Sequence, residues 1–144
     1  MNARARCGSP STRKVRTGAE GALVVVDLGF GDAGKGATVD WLCSPAAGLD
    51  VAAVVRFNGG AQAAHNVVVA GRHHTFSQFG SGTFSGVPTF LSRHMLVEPI
   101  ALAREARQLA ALGVREPLSL IEIDEQALLT TPIHAAANRA REYA

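Results

Sequence analysis

Leu23-Val24-Val25-Val26-Asp27-Leu28-Gly29-Phe30-Gly31-Asp32-Ala33-Gly34-Lys35-Gly36 decides how this chain is read. Residues 23–27 are an apolar run of the kind that makes a buried strand. Glycines at 29, 31, 34 and 36 follow, and a helical segment runs from Lys35 to Cys43. Glycines let the backbone bend tightly and approach a ligand with no side chain between. The N–H groups that open a helix, with its dipole, form an anion site. Gly29 to Lys35 also fits the G-x-x-x-x-G-K spacing of a phosphate-binding loop. Gly36 stands where that motif has a Ser or Thr for magnesium. Asp32 is the replacement: a metal ligand, a base, or both, because a carboxylate beside phosphate needs a cation or a proton transfer to offset its charge. The plainer alternative is a glycine-rich turn with Asp32 as an N-cap.

Composition sets the surroundings of this loop. At 144 residues, 47% apolar and 18% charged, the chain has the size and make-up of one globular unit. No window reaches 18 uninterrupted apolar residues, so no membrane span is expected. The formal charge of +2 comes from one end. Arg4, Arg6, Arg13, Lys14 and Arg16 lie in residues 1–20 against Glu20 alone, and the remainder is net acidic. Its charge therefore argues against nucleic acid as a partner. Only Lys14 and Lys35 are lysines, so a lysine in the glycine loop is not background composition. Cys7 and Cys43 show neither metal spacing nor a disulfide framework, which points to a reducing compartment. Residues 1–20 read as a basic, disordered tail, with a transit peptide as the sharper alternative. A secretory signal is excluded because no apolar core segment is present.

Further along, residues 44–50 read as a loop broken by Pro45 and Gly48, and 51–57 as a second buried strand. Residues 67–69 and 73–76 flank Ala70-Gly71-Arg72 as a hairpin. Residues 80–88 read as a loop and 94–97 as a short strand. Glu98-Pro99 opens a helix with Ile100, Ala103, Ala106, Leu109 and Ala110 on one face, closed by Gly113. Residues 118–123 read as a strand, a helix starts near Asp124, and 132–143 is helical. His73 and His74 are adjacent in a strand, so they point to opposite faces and read as solvated or half-buried rather than as a metal pair. Trp41, Phe76, Phe79, Phe84 and Phe90 read as packing residues. The alternation makes residues 21–144 an α/β unit: a strand–glycine loop–helix element, a mostly parallel sheet and a β-hairpin.

The loop Gly31-Asp32-Ala33-Gly34-Lys35-Gly36-Ala37 is joined by a second segment, Val54-Val55-Arg56-Phe57-Asn58-Gly59-Gly60-Ala61-Gln62-Ala63-Ala64-His65-Asn66. Together, and in this order, they resemble the adenylosuccinate synthetase family. Its loop reads Gly-Asp-Glu-Gly-Lys-Gly-Lys, and its second signature Val-Val-Arg-Tyr-Gln-Gly-Gly-His-Asn-Ala-Gly-His-Thr. The resemblance runs from about residue 22 to the C-terminus and implies the N-terminal part of a larger fold. It implies a GTP-dependent ligase that phosphorylates O6 of IMP and lets aspartate displace that phosphate, giving adenylosuccinate. It implies Mg²⁺, a homodimer and the cytoplasm. By match, Asp32 is the base and a magnesium ligand, and His65 stabilises charge on the transferring phosphoryl group. Lys35 contacts phosphate, and the Ala64 carbonyl is a second magnesium ligand. Gly31, Asp32, Ala33, Gly34, Lys35, Gly36, Ala37, Gln62, Ala64, His65 and Asn66 fall in the nucleotide-binding positions.

Several of those positions depart from the family pattern. Ala33 and Ala37 replace an acid and a lysine, Ala61 a histidine, Gln62 an asparagine, Ala64 a glycine and Asn66 a threonine. The family's guanine-reading, aspartate-binding and partner-donated arginine segments have no match in this chain. Two other readings follow: a paralogue ligating a different amino compound or acceptor, and a non-catalytic nucleotide-binding or scaffolding fragment.

Overall fold

The computed structural model describes residues 21–31, 33–61 and 63–142. The basic tail, Asp32, Gln62, Tyr143 and Ala144 lie outside the described residues. Helix α1 spans Lys35–Cys43, as its sequence predicts. It is followed by a 3₁₀ turn, Pro45–Ala47, and by strand β1, Val54–Arg56. Strands β2 (His65–Val69) and β3 (Arg72–Phe76) form the expected antiparallel hairpin, in register from His65 opposite Phe76 to Val69 opposite Arg72. Ala70 and Gly71 both have positive φ, 49° and 76°. Two such residues match the twist of a tight hairpin turn.

A 3₁₀ segment, Ser81–Ser85, leads to β4 (Thr89–Leu91), β5 (Leu96–Val97) and helix α2 (Pro99–Ala111). A 3₁₀ turn at Pro117–Leu120 precedes β6 (Ile121–Ile123), β7 (Leu128–Leu129) and α3 (Pro132–Glu142). β1, β4 and β6 make a parallel three-stranded sheet in the order β1-β4-β6, and β5 pairs with β7 in parallel. A parallel bridge from Gly59 to Met95 continues the pairing beyond β1 and β4. The expected α/β unit with a mostly parallel sheet and a hairpin is present. Among the described residues, no helix is long and apolar enough to cross a membrane.

One face of the sheet is covered. Val67, Phe76, Phe79, Leu91, Met95, Val97, Leu102, Ala106 and Leu109 form the core, drawing on the hairpin, the sheet and α2. Phe76 and Phe79 are packing residues as expected, whereas Trp41 is exposed.

Several expectations about the elements need correction. Residues 23–27 do not form a buried strand: they are assigned to no strand, and Val24 is 81% exposed. An apolar run becomes a buried parallel strand only with a hydrogen-bonding neighbour and a layer on each face, and no described strand lies beside it. The second strand is shorter than expected, and its burial is reversed. Arg56 is buried while Val55 and Phe57 are exposed, because the sheet is covered on the Arg56 side alone.

Helix α2 begins at Pro99 and is followed by Gly113 at φ 87°, but its buried stripe is Leu102, Glu105, Ala106 and Leu109. Ile100 is exposed, because Glu105 is drawn inward by hydrogen bonds. No helix starts at Asp124. Its carboxylate accepts the Gln126 N–H at 2.9 Å, a local turn that leads into β7, and the strand expected over 118–123 is 3₁₀ until Ile121.

Candidate functional site

The glycine loop enters α1 through two left-handed residues. Gly31 has φ 105°, and Gly34, the N-cap of α1, has φ 79°. A side chain at either position would be strained, which accounts for glycine at both. Lys35 is the first helical residue. Its Nζ donates to Asp27 Oδ2 at 2.7 Å, and Asp27 Oδ1 accepts the Gly29 N–H at 2.8 Å. The Lys35 ammonium, then the Gly29 N–H, hold the Asp27 carboxyl below its usual range. Asp27, read from sequence only as the end of a strand, thus ties the extended segment to the helix. It also carries the charge that Lys35 faces.

Gly36 makes the decisive contact. A Cβ built on it would lie 2.6 Å from His65 Cβ and 3.3 Å from His65 Cα. The start of β2 therefore sits directly on the first turn of α1, an approach only glycine admits. This seats His65 against the loop although 29 positions separate it from Gly36. The imidazole is half-buried, with Nδ1 3.5 Å from the buried hydroxyl of Ser81. Burial, then the positive charges of Arg56 and Lys35, push the His65 pKa down, so the ring is neutral at neutral pH.

Behind His65 lies a buried polar frame. Arg56 donates from Nη1 to the Phe79 carbonyl at 3.1 Å and from Nη2 to the Ala63 carbonyl at 2.8 Å. Burial lowers its pKa, and Glu105 opposes that shift. Glu105 reaches across from α2, and its carboxylate accepts from Ser77 N, Ser77 Oγ, Gln78 N and Phe79 N at 2.7–3.3 Å. Gly80 and Gly82 pack closely. A Cβ on Gly80 would meet Thr89 Oγ1 at 2.7 Å, and one on Gly82 would meet Cys43 Sγ at 2.6 Å. The backbone carrying Ser81 is thereby wedged among α1, β1 and β4. Sequence reasoning missed Glu105, and its signal was a lone acid among Leu102, Ala106 and Leu109 at helical spacing.

The structure brings together Gly34, Lys35, Gly36 and His65. Ala33, Ala37 and Ala64 are exposed nearby in sequence. Asn66 is one strand position from His65 and so faces the opposite side of the hairpin, where its Oδ1 accepts from Thr75 Oγ1. Asp32 and Gln62 lie outside the described residues, and so does the placement of Asp32 relative to His65. His73 is exposed, while His74 is buried, more deeply than expected. The His74 ring packs edge-on against Phe76, with Nε2 3.5 Å from Glu105 Oε1. A groove of about 440 Å³ between β3 and α2 is lined by His73, His74, Thr75, Gln108, Ala111 and Leu112. None of the predicted site residues lines it.

Among the described residues no group of three or more His, Cys, Asp or Glu side chains is placed to hold a metal. The magnesium ligands that the resemblance implies are the Asp32 carboxylate and the Ala64 carbonyl. Ala64 precedes β2 and is exposed, so solvent and a ligand can reach this position. An oxygen-only set of one or two protein ligands, completed by phosphate and water, is the kind magnesium takes.

Comparison with known proteins agrees on one relationship. The family model described as adenylosuccinate synthetase matches residues 24–144. The adenylosuccinate synthetase of Methylibium petroleiphilum is 39% identical over 121 residues, which is 83% of this chain and 26% of that protein. That of Neisseria gonorrhoeae is 37% identical over the same length, 83% of this chain and 27% of the relative. Among solved structures, fully ligated adenylosuccinate synthetase from Plasmodium falciparum superposes with a TM-score of 0.66 at 23% identity, over 78% of this chain and 25% of that one. This last likeness speaks to fold alone. The chain spans about a quarter of the length of the relatives it matches.

Proposed function

The chain belongs to the adenylosuccinate synthetase family, and from that premise we propose that its glycine loop, Lys35 and His65 form the phosphate side of a GTP-dependent ligase. The ligase joins IMP and aspartate into adenylosuccinate. In this reading the γ-phosphoryl group of GTP passes to O6 of IMP as Asp32 takes the N1 proton. The aspartate amine then attacks C6 and phosphate leaves. The observation that carries the reading is His65 seated on Gly36 at the first turn of α1. It sets a neutral imidazole beside the helix N-terminus, where anions are favoured. With Nδ1 facing Ser81, Nε2 is the ring nitrogen available to a phosphoryl oxygen.

Phosphoryl transfer depends on positioned charge more than on covalent chemistry, and loop amides, Lys35 and His65 are groups of that kind. Lys35 is poised through Asp27, so an arriving phosphate shares the ammonium with that carboxylate. Asp32 and the Ala64 carbonyl would hold Mg²⁺, which supplies charge neutralisation on the phosphates. A homodimer and a cytoplasmic setting belong to the same proposal.

Two observations favour a second reading, a paralogue with a different acceptor or amine. Asn66 bonds across the hairpin to Thr75, and exposed Ala33 and Ala37 stand where the family has an acid and a lysine. Calorimetry of the 144-residue chain with GTP, ATP and IMP, with and without Mg²⁺, tests both. The expected result is Mg²⁺-dependent binding of GTP and ATP with similar affinity, lost in Lys35→Ala and weakened in His65→Ala. Nucleotide binding without any response to Lys35→Ala, or none at all with Mg²⁺, refutes the phosphate site. Phosphate-dependent binding with no IMP binding favours the second reading.

A further inference from the structure

Glu105 is 3% exposed and sits on the apolar stripe of α2, where an unpaired carboxylate would be strongly disfavoured. Its partners explain its presence. Oε1 accepts the N–H groups of Ser77 at 3.0 Å and Phe79 at 3.3 Å. Oε2 accepts Ser77 Oγ at 2.9 Å and the Gln78 N–H at 2.7 Å. Three consecutive backbone amides are thus fixed by one side chain from a different element. Two links lead from the Phe79 end of that turn toward the loop. The Phe79 carbonyl accepts Arg56 Nη1, while Arg56 Nη2 holds the Ala63 carbonyl two residues before His65. Two residues beyond Phe79, the Ser81 hydroxyl faces His65 Nδ1.

We propose that Glu105 is a positioning residue of the phosphate site. It fixes residues 77–79, and through them both Arg56 and Ser81, so that His65 is held against Gly36 from two sides. Glu105 touches no ligand in this arrangement; it acts through the turn. The inference rests on the reading of His65 as the phosphate-facing histidine, but its geometric part stands apart from ligand binding.

The Glu105→Gln variant tests it. The amide keeps the shape but turns an N–H₂ group toward two donors, so the turn has to shift. Nuclear magnetic resonance of the labelled full chain then reads three signals: the through-space contact between Gly36 Hα and His65 Hβ, the contact between Ser81 and the His65 ring, and the Arg56 guanidinium resonance. All three are expected to weaken or move at temperatures where the variant is folded. Ser77→Ala removes the hydroxyl donor and leaves the backbone amides in place. It is expected to move the same signals less, and it keeps the question answerable if Glu105→Gln does not fold. Mg²⁺–GTP affinity is expected to drop about 10- to 100-fold in Glu105→Gln, the usual scale for a residue supporting a ligating group.

A folded Glu105→Gln, or Ser77→Ala, with lower melting temperature but unchanged contacts at Gly36, Ser81 and Arg56 overturns the proposal and leaves Glu105 as a stability residue. Wild-type chain that binds no nucleotide, yet shows the three signals moving on substitution, rejects the phosphate-site reading and retains the positioning geometry.

Discussion

Gly36→Ala is the most direct probe of how the loop and His65 are assembled. Gly36 carries no positive φ, so alanine suits its backbone. In an open helix the change would be stabilising, by up to about 1 kcal/mol. Here the new methyl group would lie 2.6 Å from His65 Cβ and 3.3 Å from both Cα and Cγ. Carbon atoms rest at about 3.5–4.0 Å, so β2 has to retreat by roughly 1 Å. Forcing a methyl group into packed surroundings costs about 1–3 kcal/mol. The residue is in the first turn of α1, where the propensity gain is small, so the net is destabilisation of about 1–2 kcal/mol.

The clash is with Cβ, so trimming His65 to alanine does not relieve it, whereas His65→Gly does. A double-mutant cycle by urea unfolding therefore gives a coupling of about 1 kcal/mol or more for Gly36→Ala with His65→Gly, and a smaller one with His65→Ala, which removes only the Cγ contact. A Gly36→Ala chain as stable as the parent, with unchanged His65 resonances, would refute the close seating of β2 on α1.

Other expectations concern the surrounding groups. Arg56→Lys loses the planar fork that reaches two carbonyls at once. It should destabilise the chain by about 1–3 kcal/mol in urea titration, because a buried carbonyl is left unpaired; no change would mean the fork is idle. Asp27→Asn removes the charge that Lys35 now faces. Inorganic phosphate should then bind more tightly to the loop by calorimetry, and equal affinity in both chains would show that Asp27 does not compete. For His65 the folded pKa lies below the unfolded value of about 6.5, so the unfolded chain takes up protons first. Stability is full above pH 6.5 and declines as pH falls through the lowered pKa. His65→Gln should flatten that decline in melting temperatures measured from pH 7 to 5.

The sequence by itself determined the local elements with strong punctuation. Helix α1 was legible because the glycine-rich turn gives way at Lys35 to a stretch with no glycine between Gly36 and Cys43. The hairpin was legible because Ala70-Gly71 separates two strand-forming runs. The start and stop of α2 were legible in Pro99 and Gly113. The phosphate-loop reading and the choice of Lys35 came from glycine spacing, which records where a backbone needs freedom; the choice of His65 came from the family resemblance of the second segment.

Tertiary structure decided which side of each element is inside, and this no local pattern encodes. Apolar residues 23–27 look like a core strand, but burial requires a neighbouring strand and a covering layer, and none is present among the described residues. Arg56 and Glu105 look like surface charges, but carbonyls and amides from residues 63 and 77–79 satisfy them inside. His74 followed them inward while His73 stayed in solvent, as strand alternation requires. The contact of Gly36 with His65 was likewise invisible as a distance. It depends on β2 crossing α1, a packing relation between segments far apart in the chain, and glycine marks only that something must come close there.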